Sequence, residues 1–246
     1  MPPDGNFSPS PGYFAGDSAH QVSPFDARGA NSGVQDTDNL SWKLKAVIDG
    51  IASDALIDSY NTERVDAAKE NIRHSTQSTD FITPKSAPSR IFRDAVLNLA
   101  EQYPFAQPLV NSSRLSLPCV YYLSPLITPD ALHGPSHSRP GAPCCDAALQ
   151  NGYLLQQLGG GFALLWINIA PPNNVQDLFP TIGMVALRTG DDPSGALQDR
   201  YLGTADRSVY LIRPDQHLAA RWSGFDPTAV HHAHQRALAK EPEAWR

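Results

Sequence analysis

Apolar residues recur at helical spacing from about residue 34 to Tyr103, and at Pro104 that rhythm stops. No other feature constrains the fold as much. The chain before the break must be mostly helical, and the chain after it must build its core in a different way. Leu40, Leu44, Val47, Ile48 and Ile51 make the apolar face of a first helix, and Gly50 is placed to end it. Ser53 or Asp54 is positioned to cap a second helix, with Leu56, Ile57, Tyr60, Ala68 and Ile72 facing inward and Pro84 as its latest stop. A third helix is predicted after Pro88, burying Ile91, Phe92, Ala95, Val96 and Leu99. Upstream, Tyr13-Phe14-Ala15 reads as a strand that ends at Gly16-Asp17, and a loop then runs through Pro24 and Gly29 to about Gly33. The first 12 residues are rich in Pro, Gly and Ser and are expected to be disordered.

From Pro104 to Pro143 the chain is rich in Pro, Ser and His, with little periodicity, and reads as a linker lying on a surface. A new pattern starts near Asp146. Leu149 to Leu158 suggests a short helix and Gly159-Gly160-Gly161 a turn. Phe162 to Ile167 is apolar throughout, as a strand covered on both faces would be. Val175 to Phe179 reads as a helical turn, Met184 to Leu187 as a strand, and Val209–Arg213 with His217–Trp222 as a β-hairpin. Asp226 is placed to cap a last helix running to about Lys240. That order gives a small α/β sandwich.

The 246 residues are enough for one large domain or two small ones, and 41% are hydrophobic. The formal charge of −6, without a basic stripe, argues against nucleic acid or an anionic membrane as main partner. Phe162 to Ala170, the longest apolar run, is too short to span a bilayer. The N-terminus has no basic stretch leading into an apolar one, and the three cysteines form no disulfide pattern, so a cytoplasmic location is expected. Cys144 and Cys145 are adjacent but lack C-x-x-C spacing, which speaks against thiol–disulfide exchange. His231, His232 and His234 cluster in the final helix, where a solvated surface is the simpler reading than a metal site; no metal is expected. Ser18 and Ser41 have no evident base partner, so no catalytic nucleophile is assigned.

The segment Gly16-Asp17-Ser18-Ala19-His20 through Asn39-Leu40-Ser41-Trp42-Lys43-Leu44 carries the chemistry. An acid at a strand end can accept hydrogen bonds from ligand hydroxyls. A helix start after Gly29 offers free backbone N–H groups and the positive end of a dipole. Taken alone, these residues point to a polar-ligand or anion site, or else to a βα turn with ordinary glycines. The ordered set Gly16-Asp17-Ser18-Ala19-His20, Pro24, Arg28-Gly29-Ala30-Asn31-Ser32-Gly33, Asp36, Asn39-Leu40 and Trp42-Lys43-Leu44 resembles the second FAD motif of class A flavoprotein monooxygenases. Within that group it is most similar to the phenol hydroxylase and 3-(3-hydroxyphenyl)propionate hydroxylase branch. Tyr60-Asn61-Thr62-Glu63-Arg64 fits the helix that follows, and Gly159-Gly160-Gly161-Phe162 with Arg213-Pro214-Asp215 resembles that branch's thioredoxin-like C-terminal domain.

The resemblance implies an α/β (α+β) fold: a helical C-terminal segment of a flavin-binding domain over residues 13–103, a linker over 104–145 and a thioredoxin-like α/β domain over 146–246. It implies that Asp17, after the turn at Gly16, accepts from the ribityl chain of FAD. Pro24 would lie beside the flavin ring on the substrate side, and Gly29, Ala30 and Asn31 would contact the pyrimidine end through their backbone. It further implies NAD(P)H as reductant, O2 as oxidant and a phenolic small molecule as substrate. Two departures stand out. Asp26 occupies a position where the family has Gly, and no G-x-G-x-x-G opens a βαβ unit, so nothing in the chain would hold the FAD pyrophosphate. The expectation is a truncated C-terminal form, inactive alone, that meets a separately encoded N-terminal half or forms a homodimer. The alternative is a non-enzymatic thioredoxin-like binding or dimerisation module with a relic flavin segment.

Overall fold

The computed structural model describes residues 12–21, 29–110, 118–132 and 134–240. They form a mixed α/β protein whose chain divides into two compact units, one of Met1–Asp38 with Asn61–Cys119 and one of Asn39–Tyr60 with Val120–Arg246.

Three helices dominate the N-terminal half: α1 (Gly29–Ile48), α2 (Ala55–Ile82) and α3 (Ala87–Gln102). A 3-10 turn at Pro104–Ala106 and a single helical turn, α4 (Gln107–Val110), continue from them. The strand expected at Tyr13–Ala15 does not form. Ala15 is extended, but among the described residues it has no ladder partner, and a 3-10 turn at Gly16–Ser18 follows directly. Helix α1 starts at Gly29, ahead of the expected position near residue 34. Gly29 and Gly33 are poor helix formers, yet Gly33 is needed where it stands: a Cβ there would sit 3.2 Å from the Gly16 Cα. Gly50, at φ +71, ends the helix as expected, its N–H returning to the Val47 carbonyl. Ser86 caps α3 through the Ser89 N–H.

Helix α2 buries Leu56, Tyr60 and Ala68 as expected, but the faces of α1 and α3 differ from the expected ones. On α1 the buried line is Ser32, Asp36, Asn39, Lys43 and Ala46, whereas Ile48 and Ile51 are exposed. On α3 only Val96 is buried, and Ile91, Phe92 and Leu99 are exposed. Periodicity located the helices, but it could not reveal that α1 turns a polar line inward, because hydrophobic spacing assumes an apolar interior.

The second unit is built on strands. A short antiparallel pair, β1 (Ala148–Leu149) and β2 (Gly152–Tyr153), precedes α5 (Leu154–Gln157), so the helix expected over 149–158 is only its last turn. Then come β3 (Ala163–Ile167), α6 (Val175–Leu178), β4 (Gly183–Leu187), a π turn at Gln198–Leu202, β5 (Ser208–Ile212), β6 (Leu218–Trp222) and α7 (Pro227–Ala237). The four-stranded sheet runs β4-β3-β5-β6, with β3 and β4 parallel and both later pairings antiparallel. A βαβ unit followed by a hairpin and a helix in this order is a thioredoxin-like sheet.

Alternation along β3 explains its unbroken apolar run. Leu164 and Trp166 enter one core with Val209, Leu211 and the α7 residues Val230 and Ala233, joined by Ala46, Ala52 and Leu56 from the α1–α2 turn. Ala163, Leu165 and Ile167 enter the other core with Leu154, Leu197, Tyr201 and Tyr210. With no solvated face, the strand has no place for polar residues. Asp226 caps α7 as expected, accepting from the Thr228 and Ala229 amides.

Candidate flavin site

Gly16, at φ +62, bends the chain so that its carbonyl accepts from the Ala19 and His20 amides at 2.9 and 3.0 Å. The turn is held from outside by one carboxylate. Asp36, fully buried on α1, accepts from the Gly16 amide at 2.8 Å and lies 2.7 Å from the His20 Nε2. Its other oxygen accepts from the Arg64 Nε of α2 at 2.6 Å. Arg64 also donates to the Ser32 carbonyl at 3.3 Å, and Asn71 to the Ser32 hydroxyl at 3.2 Å. Burial alone pushes the Asp36 carboxyl up. The His20 hydrogen bond, the Arg64 charge and the Gly16 amide outweigh that and hold it below its usual value. A single ionised group thus ties the Gly-Asp turn, the first turns of α1 and the middle of α2 together.

What this anchoring presents is open to solvent. Asp17 is exposed, and its Oδ1 lies 3.5 Å from where a Cβ on Gly29 would be. Gly29 is half-buried, while Ala30 and Asn31 are exposed at the start of α1, where the first amides have no intrahelical acceptor. An acceptor carboxylate and the first amides of a helix therefore stand side by side. Pro24, Asp26 and Arg28 lie outside the described residues. The Ser18 hydroxyl donates to the Ala15 carbonyl.

Motif reading had included Asp36 and Arg64 without giving them a role. The available signal was a polar line at helical spacing, Ser32, Asp36, Asn39 and Lys43, parallel to the apolar one. A second polar centre was also missed. Asp215, which lies between the two strands of the hairpin, is buried and paired with Arg213 at 2.5 Å; it also accepts from the Asn39 Nδ2 at 3.2 Å. His217 stacks on Tyr121 with ring centres 4.3 Å apart, and the Arg213 guanidinium lies 5.2 Å from the centre of the Trp42 ring. Burial raises the Asp215 carboxyl, but Arg213 and His217 more than offset it and hold the group well below the usual carboxylate range. The adjacent thiols behave otherwise: burial pushes both Cys144 and Cys145 up, so neither is an activated nucleophile. Among the described residues, no three His, Cys, Asp or Glu side chains converge as metal ligands. Nor is any described helix long and apolar enough to cross a membrane.

Residues 12–75, which contain the Gly-Asp turn, α1 and most of α2, match the family described as FAD binding domain. The chain is 33% identical over 235 residues to a 3-(3-hydroxy-phenyl)propionate/3-hydroxycinnamic acid hydroxylase of Mycobacterium sp. (strain JLS), covering 84% of this chain and 41% of that protein. Along most of its length this chain is similar to the class A FAD-dependent aromatic hydroxylases. A putative polyketide hydroxylase of Streptomyces coelicolor is 48% identical over 75 residues, 30% of this chain and 12% of that one. The solved flavin-dependent monooxygenase PieE, in complex with FAD and substrate, superposes with TM-score 0.68 at 24% identity, over 96% of this chain and 48% of that chain. The rebeccamycin biosynthetic enzyme RebC gives 0.66 at 20% identity, over 94% and 46%. These structural likenesses speak to the fold. The chain spans about two fifths of the length of the hydroxylase from strain JLS.

Proposed function

We propose that this chain supplies part of the flavin site of an NAD(P)H- and O2-dependent aromatic-ring hydroxylase, and that it does not hold FAD tightly by itself. The observation that carries this reading is the exposed Asp17 carboxylate beside the N-terminus of α1, both fixed by buried Asp36. Asp17 would accept from ribityl hydroxyls. The backbone of Gly29, Ala30 and Asn31 would donate to the pyrimidine end, where the helix dipole favours negative charge. Pro24 would border the ring on the substrate side. FAD, when bound, supplies the redox and oxygen chemistry; the protein's share is to orient it and tune its charge. The residues present fit the ribityl and pyrimidine ends, but no G-x-G-x-x-G is present for the pyrophosphate.

The substrate under this reading is a phenolic ring. The stretches 13–103, 104–145 and 146–246 serve as the flavin-site segment, a connecting segment and a thioredoxin-like domain.

Titrating the purified chain with FAD while following flavin fluorescence tests the reading. Weak binding alone that becomes tight with the rest of a flavin domain present is expected. Tight binding by the chain alone would mean another pyrophosphate site exists. No binding under either condition would leave a non-enzymatic module, with the chain acting through its thioredoxin-like sheet.

A further inference from the structure

Helix α7 and the turn that closes it carry one kind of charge. His232 and Arg236 on the helix and Lys240 just past it follow at four-residue intervals. The first two are exposed and Lys240 is half-buried. Like charges at this spacing oppose one another, and in a chain of net charge −6 a carboxylate would be the expected neighbour. Among the described residues, no Asp or Glu lies within ion-pair distance of any of the three, not even Asp54 or Asp58 at the start of α2. The helix end does not call for these cations either. The His234, Gln235 and Arg236 carbonyls are already closed by the Leu238, Ala239 and Lys240 amides, so no side chain is needed to cap them. That closure puts Ala239 at φ +52, a conformation that glycine holds at less cost. Strained backbone of this kind gathers at ligand sites.

His232, Arg236, Ala239 and Lys240 line one cleft of about 440 Å³, all within the second unit. Its other wall is small or apolar, made by Ala55, Pro125 and Leu126, and no carboxylate lines it. The volume suits a small ligand. We propose that this cleft binds a phosphate group, either free phosphate or the phosphomonoester of a small organic molecule. A guanidinium offers paired N–H donors to two oxygens, and an ammonium adds a point charge. Together the two permanent charges match a dianion, with the His232 imidazole as a further donor; a single carboxylate would leave one of them unmatched. The proposal is independent of the flavin site, which lies on other residues.

The test is calorimetric titration of the intact chain at fixed ionic strength with inorganic phosphate, phenyl phosphate and acetate. Saturable binding of at least one phosphate at a single site is expected, with acetate about tenfold weaker or more. Arg236→Gln and Lys240→Gln, measured separately, should each weaken phosphate binding by about tenfold. Without phosphate, their melting temperatures should equal or exceed the wild-type value, because each substitution removes a like charge. If one variant fails to fold, the other still decides. Tighter binding of phenyl phosphate would assign the cleft to an organic phosphate, and equal binding would assign it to the free ion. No saturable binding of either phosphate would overturn the proposal, as would acetate binding as tightly or binding that both substitutions leave unchanged. A lower melting temperature in both variants without any phosphate binding would return the cations to a role at the helix end.

Discussion

At the scale of single residues, the molecule depends on a few buried charges. Removing Asp36 would take a counter-charge from the buried Arg64 guanidinium, the acceptor from the Gly16 amide and a close contact from the His20 ring. Asp36→Ala should therefore cost about 3–5 kcal/mol, seen as a lower urea midpoint. It should also weaken FAD binding in whatever assembly binds flavin. A second test concerns backbone room. Gly141, at φ +86, would place a Cβ 2.9 Å from the Tyr121 carbonyl oxygen. Gly141→Ala should lower the melting temperature, since both the positive φ and the contact oppose a side chain. Neither residue could be ranked from the sequence. A buried aspartate and a surface one look alike until their partners, here 16 to 28 positions away, are known.

At the scale of elements, the sequence revealed existence and order better than orientation. The β5–β6 hairpin, the buried β3 strand and the Asp226 cap of α7 were all legible, because each depends on local pattern or local chemistry. The inward faces of α1 and α3 were not. One buries polar groups for partners distant in sequence, and the other leaves its apolar stripe exposed. Helix α7 adds a pH prediction. Burial, with His231 and Lys240 nearby, lowers His234 from 6.5 to about 4. Between those values the unfolded chain takes up a proton that the folded chain refuses, so stability falls as the pH drops through that window. The loss should reach about 3 kcal/mol, and His234→Gln should flatten the curve of unfolding free energy against pH over the same range.

At the scale of the whole molecule, Asp36 and Asp215 both have depressed carboxyls, so they act in the same direction. Their stabilisation is complete above the unfolded aspartate value of about 3.9 and is lost as pH falls below it towards their folded values. Acid unfolding should therefore steepen below about pH 4, and Asp215→Asn should remove part of that dependence in an acid titration followed by circular dichroism. The layout of the units gives a further expectation. The core beneath the sheet includes Ala46, Ala52 and Leu56, which precede the sheet by some hundred positions. A fragment of residues 120–246 should unfold without a sharp transition and bind a hydrophobic dye; adding a peptide of residues 39–60 should reduce the dye signal. If that fragment melts as cooperatively as the full chain, the shared core is dispensable. Helices α1 and α2 each begin in one unit and end in the other. For descent, this means that a recombination event between residues 61 and 119 would join a helical turn from one parent to a sheet shaped for another. A single crossover that leaves this C-terminal core with one parent must therefore fall outside residues 39–240.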